Sequence, residues 1–302
     1  MMFVLRSIGK PIHQTTTCWK GLLLKSLENA ETLHSSTGCC CWKRSYTSRL
    51  KLETFAAMNF QHYEPKASGL PGILLQRTGP QHLAPIQRLL RSSFFQDEPL
   101  VTAFGLAGGA TDREFIDDEA KLVLEQLSLV AIDEASGDIV AAAVNRTVVP
   151  EELVTWPQEI DQIKCPPTQR LARVWYTMST RPNIFTTFKV PSYFELTFLV
   201  TSQAARGKGL ALILARESLK LALEARAPLA VIYCTHIASA RIAQKLGMTL
   251  IASQKLKDVA TEQAALPSGD NEYYVYAMRL TDTRKMSSPD EPPQNERSLA
   301  AI

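Results

Sequence analysis

The sequence turns on Arg206-Gly207-Lys208-Gly209-Leu210-Ala211. Before it runs Tyr193-Phe194-Glu195-Leu196-Thr197-Phe198-Leu199-Val200, apolar enough for a buried strand. After it, Leu212, Ala215, Leu219 and Leu223 recur at helical spacing. A strand, two glycines and a helix start form an arrangement for holding phosphate. Glycine lets the backbone turn tightly and approach a ligand. The first helical turn offers unpaired N–H groups and a partial positive charge.

Two phosphate loops are excluded. A P-loop requires G-x-x-x-x-G-K-[ST], and here no Ser or Thr follows a Gly-Lys pair. A dinucleotide fingerprint requires a third glycine, where this chain has Leu212. What remains is Arg-x-x-Gly-x-Ala.

Composition bounds the rest. The 302 residues suit one large domain or two small ones, and the 45% apolar fraction suits a sizeable core. No apolar stretch reaches the ~18 residues of a membrane span. The net charge of +3 is uneven: residues 1–57 carry +5 and residues 58–302 carry −2. The mildly acidic body gives no electrostatic case for nucleic acid. Four of the six cysteines fall in the first 41 residues, which suits a reducing compartment rather than a disulfide scaffold. Cys39-Cys40-Cys41 has no ligand pair at metal-site spacing, so no metal is expected.

Residues 1–27 hold Arg6, Lys10, Lys20 and Lys25 and no acid, the composition of a mitochondrial leader. Pro11 and Thr15-Thr16-Thr17 weaken an amphipathic helix there, and Met58 offers an internal start. The expectation is an extension over 1–70, a domain over 71–281 and a disordered tail over 282–302. A cytoplasmic monomer is expected, with mitochondrial targeting as the alternative.

Along the body, Ile73-Leu74-Leu75 reads as a strand, and Leu83, Ile86, Leu89 and Leu90 as a helix. Pro99 stops that helix and pushes Glu98 out of helical geometry. Thr111-Asp112-Arg113-Glu114 reads as a capping box. Two apolar runs around Ala135-Ser136-Gly137-Asp138 predict a hairpin. A Pro-rich connection is expected at 150–167, then a helix at 168–180. Pro228 to Cys234 reads as a central buried strand. A helix from Ser239 to Leu246, closed by Gly247, and two final strands complete the order.

The order β α α β β (α) β α β α β β, with the loop after the fourth of these strands, resembles the GNAT superfamily of N-acetyltransferases. Its Q/R-x-x-G-x-G/A signature is similar to Arg206–Ala211. The resemblance implies an α/β fold, a mixed, mostly antiparallel sheet of about seven strands with helices on both faces. It also implies acetyl-coenzyme A held on the loop. Phe94-Phe95-Gln96-Asp97-Glu98-Pro99-Leu100 resembles the F-F-x-D-E-P-L segment of insect-type arylalkylamine N-acetyltransferases. Asn183-Ile184-Phe185 resembles their N-I-F. Cys234-Thr235-His236-Ile237-Ala238-Ser239-Ala240-Arg241, with Lys245-Leu246-Gly247, is similar to their C-S-x-x-x-S-A-R-x-x-x-K-L-G. Together these cover roughly residues 70–280.

The resemblance implies Glu98 as the base acting through water, with Thr235 and Ser239 assisting the substrate and the coenzyme A thiolate. Leu199, Val200, Thr201, Arg206, Gly207, Lys208, Gly209, Leu210, Ala211 and Ser239 are the expected coenzyme A contacts. The chain departs from the family pattern at Val101, at Thr235 in place of Ser, and at Thr201-Ser202-Gln203-Ala204-Ala205.

The chemistry explains these residue types. An alkylamine with a pKa near ~10.4 is almost wholly ammonium at neutral pH, so it must lose a proton before attacking a thioester. A carboxylate in an apolar pocket can be tuned for that task. The oxyanion needs a donor, here a backbone N–H around Leu199–Val200. Glu195 is the rival base. His236 and Cys234 read as bystanders, the thiol lying in an apolar run with no base beside it. Phe94, Phe95 and Tyr193 are candidates for an aromatic amine pocket. The expected acceptor is an arylalkylamine such as dopamine, serotonin or tyramine. The alternatives are a polyamine, agmatine or protein N-terminus, a longer acyl chain, or a non-catalytic coenzyme A-binding module.

Overall fold

The computed structural model describes residues 65–107, 113–255, 258 and 272–280. Its strands are β1 (Lys66–Ala67), β2 (Ile73–Arg77), β3 (Leu129–Asp133), β4 (Ile139–Val148), β5 (Tyr193–Thr201), β6 (Leu229–Cys234), β7 (Thr249–Lys255) and β8 (Glu272–Arg279). They form one sheet in the order β1-β2-β3-β4-β5-β6-β8-β7. Every neighbouring pair is antiparallel except β5–β6, which is parallel. The eighth strand relative to the expected seven is β1, two residues long with no alternation to betray it.

The helices are α1 (Leu83–Leu89), α2 (Phe95–Asp97), α3 (Pro99–Ala103), α4 (Arg113–Ala120), α5 (Pro150–Asp161), α6 (Pro166–Thr180), α7 (Ile184–Phe188), α8 (Leu210–Glu224) and α9 (Ile237–Lys245). A π-helical turn, Leu90–Phe94, joins α1 to α2. The expected capping residues Thr111 and Asp112, residues 1–64 with Cys39–Cys41 and Met58, and residues 281–302 lie outside the described residues.

The period-2 pattern of the strands divides the core. Val130, Ala142, Val144, Phe198 and Val231 face α1 and α3 to α6. Leu129, Ala131, Ala141 and Ala143 face Leu210, Leu214 and Leu221 of α8. Phe194, Ala230 and Ile232 pack with Ala215 and Leu219 of α8 and with Ala240 and Ala243 of α9. A buried polar latch fixes α8 to β4: Asn145 Nδ2 donates to Leu127 O and to Ser218 Oγ, both at 2.9 Å. Buried amides need such partners to offset their desolvation.

Two expectations are corrected. The Pro-rich 150–167 stretch is mostly helix, not connection. Pro150 and Pro166 both sit in the first turn of a helix, where the missing N–H costs nothing. Leu153, Trp156 and Ile160, at helical spacing, bury α5 despite the internal Pro157. The helix expected from Ser239 instead begins at Ile237. His236 caps it, its Nδ1 accepting the Ala238 N–H at 3.0 Å. Its far end closes as expected at Gly247, φ +74°. The Gly247 N–H reaches Gln244 O and the Met248 N–H reaches Ala243 O, the paired bonds of a Schellman cap.

Candidate active site

Glu98 sits between two helices. Its backbone is extended, φ −68° and ψ 125°, as a residue before proline should be. Pro99 starts α3, and Glu98 caps it by accepting the Val101 N–H on Oε2 at 2.6 Å. The other oxygen, Oε1, accepts from Thr235 Oγ1 at 2.7 Å. Glu98 as a whole is 7% exposed. Burial raises its pKa above the ordinary 4.5, against the lowering effect of the bonds from Val101, Thr235 and Leu100.

Thr235 follows the end of β6, and so faces α3 across 137 residues of sequence. Ser239 lies one helical turn further on, in the first turn of α9. Its hydroxyl donates to His236 O at 2.7 Å. His236 is exposed and occupied as a cap. Cys234 is fully buried, and burial pushes its thiol up to about 12, opposed by a bond from Ser239. A thiol so protonated is a poor nucleophile.

The loop before α8 has the expected backbone. Gly207 and Gly209 have φ of +78° and +79°, which favour glycine, and Gly209 is the N-cap. The first bond of the helix is Ile213 N–H to Gly209 O, so the preceding amides have no intrahelical partner. Arg206, Gly207, Lys208 and Gly209 are exposed, while Leu210 anchors the turn in the core. Arg206 does not point idly into solvent. Its guanidinium lies 2.5 Å from Asp97 and its Nε donates to Thr201 O at 3.3 Å.

Beside the loop the sheet opens. The β4 partners of β5 shift from Val144↔Phe198 to Asn145↔Leu196, leaving Thr197 as a bulge. Bulges bend a strand and increase its twist. The β5–β6 ladder holds only Phe194↔Ala230 and Glu195↔Val231. Beyond Glu195 the two strands diverge, so the β6-facing backbone groups in the Thr197–Val200 stretch have no β6 partner in the ladder. Leu199 and Val200 lie there with Thr201 at the strand end.

A cavity of about 80 Å³ runs from Glu98 and Thr235 along this face. Its apolar walls include Phe94, Trp156, Trp175 and Phe198. Phe94 packs edge-on to Phe198, with ring centres 5.0 Å apart. Phe95 and Tyr193, the other two candidates for the pocket, pack in the core. Phe94, the neighbour of Phe95, does line the cavity, whereas neither neighbour of Tyr193 does, a distinction that the spacing of aromatics could not reveal.

Glu195 lies in the same cavity but is committed. Its Oε2 is 3.0 Å from the Arg146 guanidinium, which also lies 3.8 Å from Glu152 and feels Glu119. Burial disfavours the Arg146 charge, yet these carboxylates outweigh it and raise its pKa. That ion pair occupies the Glu195 carboxylate, which therefore does not stand open to a substrate amine as Glu98 does. Arg146, Glu119, Trp156, Trp175 and Tyr233 were not singled out from the sequence. A lone arginine inside the buried run of β4 was the one available signal.

No family model and no curated protein matches the sequence. Solved structures do. Arylalkylamine N-acetyltransferase 2 from Aedes aegypti superposes with a TM-score of 0.63 at 21% identity, over 69% of this chain and 99% of its own. The chain has the GNAT acetyltransferase fold. An agmatine N-acetyltransferase (TM-score 0.60, 20% identity, 69% and 99% coverage) has the same GNAT architecture. So does the Drosophila melanogaster polyamine N-acetyltransferase that forms N-acetylagmatine (TM-score 0.60, 20% identity, 68% and 99% coverage). Within this fold the α5 and α6 pair supplies Trp156, Trp175, Met178 and Ser179 to the cavity. Among the described residues no helix is long and apolar enough to cross a membrane, and no group of three His, Cys, Asp or Glu is placed to hold a metal ion.

Proposed function

We propose that this chain transfers the acetyl group of acetyl-coenzyme A to the primary amine of an arylalkylamine, of the dopamine, serotonin or tyramine type, by direct attack in a ternary complex. The observation that carries this reading is Glu98, buried, bonded to Thr235 and lining a cavity walled by aromatic rings. Glu98 attracts the ammonium and takes its proton through a water. Its raised pKa makes it a better base than an exposed glutamate. Thr235 holds Glu98 in place. The backbone N–H of Leu199, which the β4 register turns toward the opened seam while that of Val200 points to β4, serves the oxyanion. Ser239 returns a proton to the departing thiolate. Arg206, Lys208 and the amides of Gly207, Gly209, Leu210 and Ala211, beside Thr201, hold the phosphates. The acyltransferase domain spans residues 71–281, in a cytoplasmic monomer.

A second reading keeps the fold and takes an aliphatic diamine or agmatine. It is favoured by the three carboxylates that line the cavity, Glu98, Glu119 and Glu195. Thiol release from acetyl-coenzyme A, measured over a panel of aryl and aliphatic amines, tests both. Turnover restricted to polyamines or agmatine overturns the first reading. Coenzyme A binding with no turnover on any amine overturns both and leaves a binding module.

A further inference from the structure

The cavity has a helical wall and a sheet wall, and each carries a hydroxyl. Trp175, Met178 and Ser179 reach it from α6. Thr197 reaches it from β5, at the bulge. Counted from the register pair Glu195↔Val231, Thr197 is two residues further along β5 and Thr235 four residues further along β6. At roughly 3.3 Å per residue, Thr197 stands about 7 Å short of the level of Thr235, the residue bonded to Glu98.

A hydroxyl in a helix interior ordinarily bonds the carbonyl one turn back or points to water. Thr177 bonds Arg173 O and Thr180 bonds Tyr176 O, both at 2.9 Å. Ser179, in the same stretch of α6, does neither. It is 6% exposed, and its hydroxyl has no hydrogen-bond partner among the described residues. On the sheet wall, Thr197 Oγ1 is also buried without a partner. A buried hydroxyl left unbonded costs the folded chain stability. Two of them on one cavity are explained if a ligand completes them.

Their chemistry limits what that ligand presents. A hydroxyl offers one donor and two acceptor sites and carries no charge. It matches a group that both donates and accepts, and offsets little of the desolvation of an ion. Phe94, Trp156, Trp175 and Phe198 wall the same space. The fitting group is a hydroxyl on an aromatic ring. Resting on the acyl-transfer reading above, we propose that Ser179 and Thr197 form a subsite for the ring hydroxyl of a phenolic amine. The nitrogen is held at Glu98 and the ring lies between the aromatic walls. The ring hydroxyl donates to one of the two side-chain hydroxyls and accepts from the other. Ser179 and Thr197 are thus specificity residues and take no part in proton transfer.

Tyramine and phenethylamine differ only in that ring hydroxyl. Wild-type kcat/KM, read by thiol release from acetyl-coenzyme A, should favour tyramine about tenfold, the worth of a neutral hydrogen bond or two. Ser179→Ala and, separately, Thr197→Val should bring the ratio toward one. Thr197→Ser keeps the hydroxyl and should keep the ratio. Ser179→Ala should also leave the Tm of the free protein unchanged or higher, because the hydroxyl it removes has no partner in the protein. A Tm lowered by several degrees would mean that the hydroxyl is bonded within the fold, and would overturn its role as a ligand group. A wild-type ratio near one, or a ratio that survives both Ser179→Ala and Thr197→Val, overturns the subsite and leaves acyl transfer standing. Calorimetry of the same two amines on the coenzyme A-saturated protein reads the preference without turnover. A tyramine preference there, with no turnover on any amine, keeps the subsite and removes the acyl-transfer reading. Equal affinities with no turnover remove both.

Discussion

Asp97 and Arg206 are 109 residues apart in the chain and their side chains meet at 2.5 Å. The pair ties the phosphate loop to the segment that carries Glu98. Both partners are about half exposed, so the bond itself contributes little to stability. Its importance is competition: a phosphate and Asp97 cannot share one guanidinium fully. Arg206→Ala should weaken coenzyme A binding about tenfold, and Asp97→Asn should leave it unchanged or tighter. Calorimetry checks both, and equal weakening in the two variants would count against the competition.

Glu98→Gln keeps the size of the side chain and removes its basicity. A loss of about 10²- to 10⁴-fold in kcat/KM is expected, with coenzyme A affinity retained. Undiminished kcat/KM on dopamine at pH 7 would sink the assignment of Glu98 as base.

The acid limb of the kcat/KM profile should lie above 4.5, because burial raises the Glu98 pKa and only its carboxylate accepts a proton. The sign for stability is opposite. A carboxyl whose folded pKa is raised costs stability as pH climbs through that pKa, and costs nothing well below its unfolded value. Glu98→Gln should therefore remove the acid limb and soften the loss of stability on the same rise in pH. Rate profiles and denaturant melts over about pH 5 to 8 read both effects.

Gly209→Ala isolates backbone strain. An added Cβ meets nothing within 4 Å, so the cost comes from the positive φ alone. About 1–2 kcal/mol is expected, which lowers Tm by several degrees. An unchanged Tm would mean that the loop relaxes out of the left-handed region.

Cys234→Ala should retain turnover within about threefold and form no acetylated enzyme, since a thiol pushed up to about 12 is almost wholly protonated at neutral pH. Trapping an acetyl group on this cysteine by mass spectrometry would contradict direct attack.

How far the sequence was legible differed by element. The loop and Glu98 were readable because proline and glycine impose their geometry locally, whatever the rest of the chain does. The strands of the core announced themselves through period-2 and continuous apolar runs. Helix α5 did not, because prolines read as breakers unless their place in the first turn is known. Arg146 and the Asp97–Arg206 pair were hidden for a different reason. Their partners lie far away in sequence, and only the fold sets the distance between them.

The short seam between β5 and β6 has a mechanical consequence. Two residue pairs join the leaf β1–β5 to the leaf β6–β8 by backbone, and the remainder of that junction is side-chain packing. A ligand wedged into the gap would replace the missing ladder and act as a staple between leaves. Thermal unfolding with saturating coenzyme A should then rise as one cooperative transition, by about 2.7 kcal/mol at a hundredfold excess over Kd. Amides in the Thr197–Val200 stretch that face β6 should exchange with solvent faster than those paired to β4, until the gap is filled.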